Sequence, residues 1–181
     1  MSVDQPIGSD HQLARLLQIG VVLEEVVEVR AHRNYQALPA ESRDEAIEAL
    51  LSEARAESAE HRERLEGLID ALDAESIAVE EIESLVTAQY EADEPAEFDG
   101  VLYDQLNGEE TAWKFYDDLL AALEATDVSF GVERELLETT LAEIRAAEAD
   151  GVEAVTRLMN EQSDQQRLDE ESEPDRQGGT R

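Results

Sequence analysis

Cysteine is absent from this 181-residue chain. Neither a disulfide framework nor a thiolate metal site can form, and any bound metal must be held by carboxylate and imidazole. Aromatic residues are scarce, at 4% against 41% hydrophobic residues in all. A core drawn mostly from Leu, Val, Ile and Ala suits packed helices better than a sandwich of sheets. Lysine is almost missing, because the 14 basic residues are arginines apart from Lys114. No stretch approaches the roughly 18 consecutive apolar residues of a membrane span. Met1 to Asp10 has neither a basic start nor an apolar run, so no signal peptide is read there and the expectation is a cytoplasmic protein. A nucleophile elbow, a phosphate-cradling Gly-rich loop, a Cys/His zinc spacing and an aromatic–basic nucleic-acid surface are all lacking.

Negative charge is what the chain has in excess. Asp and Glu number 46, and the formal net charge is -32. Like charges repel over about 10 Å at 0.1 M salt but only about 3 Å at 1 M, so this balance reads as a halophile-type surface suited to molar salt. Nucleic acid is an unsuitable partner, since nothing here neutralises phosphates, and anionic membrane is unsuitable for the same reason. The length is that of one domain able to bury a single core.

Helical periodicity accounts for most of the chain. Residues 1–8 read as a lead-in, and Ser9 with Gln12 has capping-box spacing. The first helix should run to about Leu38, ahead of Pro39, with Leu13, Leu17, Val21, Val27, Ala31, Tyr35 and Leu38 on its apolar stripe. Ser42 with Glu45 suggests the cap of a second helix reaching about Leu72. A connector spans Asp73 to Glu97, holding a helix of its own around Val79, Ile82 and Val86 and broken by Pro95. A third helix covers about Ala96 to Ala125. Asp127 or Ser129 caps a fourth, carrying Leu137, Leu141, Ile144, Val152, Val155 and Met159. The apolar period fades near Glu161, so residues 161–181 read as an acidic disordered tail. Two antiparallel helix pairs joined by one long connection make an all-α, ferritin-like antiparallel four-helix bundle over residues 9–160.

The candidate chemistry lies on the inward faces. Helix positions seven apart fall within about 20° of one another. Glu28 and Tyr35 form such a pair on the first helix, behind Val21, and Glu109 and Tyr116 form one on the third, behind Leu102. His61 lies seven residues from both Ala54 and Leu68. Glu148 lies seven from both Leu141 and Val155. Each helix thus offers an ionisable group to the interior, where converging carboxylates need a cation or shared protons. A hard divalent ion held by oxygen and imidazole meets that need. Against this stands the acidic composition itself, which puts some Glu near apolar faces by chance. A lone His61 also fits a core histidine, and Tyr35 and Tyr116 fit ordinary bundle packing. His11 carries no specific signal, and Trp113 reads as a core or interface anchor.

Glu28-x-x-Ala31-x-x-x-Tyr35, and Gly108-Glu109 with Tyr116, resemble the first and third helices of rubrerythrin and the ferritin-like di-iron proteins. The stretch Glu57 to Leu65 is similar to the second-helix motif, and Ala147 to Gly151 to the fourth. The resemblance follows helix order over roughly residues 10–160. It implies Glu28 and Glu109 as terminal ligands, His61 as the imidazole ligand and Glu148 as the bridge, with Tyr35 and Tyr116 hydrogen-bonding behind them. It implies one or two ions of iron or manganese, a role in iron handling or oxidative-stress defence, and dimers or cages among relatives. The family's Glu-x-x-His pairs here read Ser58-x-x-His61 and Glu148-x-x-Gly151, so one carboxylate and one imidazole are missing. Glu57 and His32 are the candidate substitutes. The alternative is a metal-free structural or interaction protein that kept the fold and lost the site.

Overall fold

Local signals start and stop each helix in the computed structural model, which describes residues 6–38, 40, 43–72, 74 and 98–172. Helix α1 spans Asp10–Ala37. Ser9 Oγ accepts from Gln12 N at 3.3 Å, and the Gln12 side chain in turn accepts from Gly8 N at 2.9 Å. Leu38 turns to extended backbone ahead of Pro39, as a residue before proline prefers. Helix α2 spans Glu45–Ala71. Its cap is Asp44, whose carboxylate accepts from Ala46 N at 2.7 Å and Ile47 N at 3.4 Å. A carboxylate at that position also meets the positive end of the helix dipole, which a serine two residues earlier cannot do. The expected cap Ser42 lies outside the described residues, as does the connector helix around Val79, Ile82 and Val86.

Helix α3 spans Phe98–Glu124 and α4 spans Arg134–Ser172. Neither Asp127 nor Ser129 caps α4, which begins only at Arg134. Arg134 donates to the carbonyls of Leu123, Thr126 and Val128 at 2.8–3.1 Å, and Asp10 accepts from Gly131 N at 3.1 Å. Thr126 Oγ1 donates to the Ile7 carbonyl at 2.9 Å, and Ile7 is fully buried. The end of the expected lead-in therefore belongs to the core.

The tail also departs from expectation, since α4 continues through Ser172. Helix needs no apolar stripe where Glu and Gln are the commonest residues and no proline intervenes before Pro174. Arg167 and Asp164 add a pair at 2.7 Å on this extension.

Two apolar clusters fix the topology. The larger joins Ile7, Leu13 and Leu17 to Leu65, Leu119 and Leu137. The smaller joins Tyr35 and Leu38 to Ile47, Leu51, Val101 and Val155. Hence α1 and α4 run one way and α2 and α3 the other, and the link from Leu72 to Phe98 begins at one end of the bundle and arrives at the other. This is the expected all-α four-helix bundle with antiparallel neighbours and one long crossover. Around the ring, α1 adjoins α2 and α3, while α4 adjoins α3 and α2. Trp113 is 41% exposed and belongs to neither cluster.

Candidate metal centre

Between the two apolar clusters the helices bring polar side chains to one level. Glu24 of α1 is 0% exposed, His61 of α2 6% and Glu148 of α4 3%. Nδ1 of His61 lies 3.0 Å from Glu148 Oε1 and 3.5 Å from Glu24 Oε2. One donor atom from each residue falls within 4.8 Å of the other two. An ion bound at about 2.1 Å holds neighbouring ligand atoms about 3.0 Å apart in octahedral and 3.4 Å apart in tetrahedral geometry. The two measured distances are of that size.

Glu24 is the residue that points to a ligand. Its Oε1 accepts from the buried Tyr116 hydroxyl at 2.5 Å, while its Oε2 is buried with no hydrogen-bond partner. A buried carboxylate oxygen in that condition is costly, and a cation at the mouth of the three side chains would satisfy it. Gly20 leaves room for the Tyr116 hydroxyl. A Cβ there would stand 3.2 Å from the phenol oxygen and 3.1 Å from Leu65 Cδ1.

Glu109 of α3, also buried, borders the group. Gln105 Nε2 donates to its Oε1 at 2.5 Å. Its carboxylate lies against the bare backbone of Gly151, where a Cβ would come within 2.8 Å of Cδ. The position that lacks the expected imidazole is thus filled by the carboxylate from the neighbouring helix.

Without a metal the group must share protons. Burial pushes the His61 pKa down, but the hydrogen bond to Glu148 and the nearby Glu24 carboxylate outweigh it and carry the value up to about 10. Burial raises Glu148 to about 9, against the opposing bond from His61 and with help from Glu24 and Glu109. Glu109 is raised by burial too, opposed by its bonds to Glu148 and Gln105. The Tyr116 hydroxyl, raised by burial and by Glu24, stays protonated and can only donate to Glu24.

His61 and Glu148 stand together among the residues expected from sequence, with Glu109 beside them and Tyr116 behind. Glu28 stands outside the group, 3.2 Å from Arg62 and 3.6 Å from Arg55. Its place is taken by Glu24, one turn earlier. Tyr35 is at the far end, donating to Glu48 at 3.2 Å and to the Asp44 carbonyl at 3.4 Å. Glu57 is exposed on α2, and partial desolvation there together with Glu53 raises its pKa. The side chain of His32 is outside the described set.

Comparison with family models, curated proteins and solved structures finds no match. Among the described residues no helix is long and apolar enough to cross a membrane.

Proposed function

We propose that this protein binds a divalent metal ion, iron or manganese, between Glu24, His61 and Glu148, as a ferritin-like, rubrerythrin-related bundle with a reduced site. The observation that carries the reading is the buried Glu24 Oε2, which lacks a hydrogen bond and faces an imidazole nitrogen and a second carboxylate. One imidazole with carboxylates is a hard, oxygen-rich set that suits Mn(II) and Fe(II) better than soft ions. Tyr116 would hold Glu24 in orientation, and Gln105 would hold Glu109. A single ion fits sequestration or sensing, in iron handling or defence against oxidative stress, better than turnover. The charge of -32 suits a salt-rich cytoplasm.

The test is metal content by inductively coupled plasma mass spectrometry on protein purified in molar salt, for wild type and His61→Ala together. About one equivalent of iron or manganese, lost in the variant, is the expected result. An empty wild type that also takes up neither ion on anaerobic titration would sink the reading.

A second reading, a metal-free scaffold, rests on the bonds the group makes for itself. His61 to Glu148 at 3.0 Å and Tyr116 to Glu24 at 2.5 Å already pair most of its polar atoms. On that reading the melting temperature is the same with chelator and with metal, whereas an ion bound only by the folded state raises it.

A further inference from the structure

Arginine pairs bridge three seams of the bundle within about two turns of the metal group. Across α1–α2, Arg62 pairs with Glu25 and Glu28, and Arg55 with Glu28. Across α3–α4, Arg145 pairs with Asp117 at 2.8 Å. Across α1–α3, Arg30 lies 3.6 Å from Asp104. A divalent cation approaching along any of these would meet a guanidinium first.

The fourth seam differs. Arg64 and Glu143 join α2 to α4 on the side of His61 nearer the larger apolar cluster. On the other side the two helices part into a groove of about 510 Å³. Its walls carry Glu53, Glu57, Asp150 and Glu161 against the single cation Arg157. Alanines 54 and 154 leave its middle free of bulk, and its inner end is Glu109 lying on Gly151. Glu109 neighbours Glu148, so the groove ends one carboxylate away from the metal group.

We infer that the α2–α4 groove is the path by which a divalent cation reaches Glu24, His61 and Glu148, with Glu57 and Asp150 drawing it in and Glu109 passing it across Gly151. The inference rests on the metal-binding reading and adds a route to it. Acidic walls raise the local concentration of a cation and so act on rate, through a field that salt screens. A plug in the groove likewise acts on rate while the ligands stay in place.

The experiment follows Co(II) uptake by its visible absorption in a stopped-flow instrument, with affinity measured separately at equilibrium. Ala154→Leu should slow uptake about tenfold or more, a size typical of lost access and steering, while affinity changes little. The double variant Glu57→Gln/Asp150→Asn, confined to exposed side chains, should slow uptake severalfold in low salt and match wild type in molar salt. Glu124→Gln/Glu135→Gln, of equal charge change near the far end of the bundle, should leave the rate unaltered. If wild type takes up no Co(II), the metal reading and the route fail together. If it binds Co(II) and both groove variants load at the wild-type rate, the route alone is overturned.

Discussion

The bundle has two kinds of interior. Toward the Ile7 end, Leu13, Leu17, Leu65, Leu119, Leu137 and Leu141 are each fully buried in an apolar cluster. At mid-height the same four helices enclose Glu24, His61, Glu109 and Glu148 to nearly the same degree. The first region gains free energy by burial, about 1.5–3 kcal/mol for each large aliphatic side chain. The second pays to desolvate its charges and recovers that cost through shared protons or a bound ion. One region holds the fold together, and the other is kept in spite of what it costs the fold.

The sharpest way to break this comparison is to cut one residue from each. Leu137→Ala should destabilise the protein by about 2–5 kcal/mol, since a cavity adds to the lost transfer energy. In a chain of this length that lowers the melting temperature by roughly 2–4 °C for each kcal/mol. A loss below about 1 kcal/mol in urea titration would mean that the Leu137 site is not the close-packed core its burial indicates.

Glu24→Gln should act on folding and on binding separately. Measured in chelator it should cost about 1–3 kcal/mol, because the neutral amide keeps an acceptor for Tyr116 but deprives the protonated His61 of a counter-charge. With Mn(II) at about 100 times its dissociation constant, wild type should gain about 2.7 kcal/mol and the variant much less. Equal metal-induced shifts in melting temperature for the two proteins would remove Glu24 from the site.

Both kinds of interior were legible in the sequence, though unequally. The apolar stripes announced Leu13, Leu17, Leu65 and Leu137, and with them four helices in order. His61 and Glu148 emerged from aliphatic neighbours seven residues either side. Glu24 obeys the same rule, with Leu17 seven before it, Leu13 eleven before and Tyr35 eleven after. The Glu–Tyr offset instead favoured Glu28, on the α1–α2 seam, where Arg55 and Arg62 lie close by. Periodicity states which face a residue occupies, but not which turn lies level with a partner helix, and that register is set by packing. Gly151 reads in sequence as a lost imidazole. Only the third dimension shows Glu109 filling the space.

Acidity offers a finer probe of the polar layer. In the folded protein the His61 pKa is raised from 6.5 to about 10 by its carboxylate neighbours, and that of Glu148 from 4.5 to about 9 by burial. The folded state therefore binds more protons than the unfolded one across this window. Stability of the metal-free protein should fall as pH rises, through 6.5 to about 10 for His61 and through 4.5 to about 9 for Glu148. Each group contributes a slope of at most about 1.4 kcal/mol per pH unit. A bound ion displaces these protons, so metal should flatten the slope and bind more tightly as pH rises. Melting temperatures in chelator and in Mn(II), between about pH 7 and pH 9, measure both. A metal-free protein that gains stability over that range would contradict the shared-proton account of the layer.

The smallest effect should come from the end of α4. Beyond Met159 the helix has left both clusters, and Leu168 is 58% exposed. Two of its ties are local: Ser163 Oγ donates to the Met159 carbonyl at 2.9 Å, and Arg167 pairs with Asp164. Such exposed pairs are worth about 0.3–0.5 kcal/mol, and an isolated stretch of this length is marginal as a helix on its own. Ending the chain after Gln162 should therefore leave the melting temperature within about 1 °C of wild type, while ellipticity at 222 nm falls in proportion to the helix removed. A drop of several degrees would mean that the extension is docked, on this chain or on a second copy. Sedimentation velocity on the full and shortened proteins would then separate the two, because only the second copy changes mass. An unchanged melting temperature would confine the stabilising contacts to the bundle itself, where the buried leucines supply them.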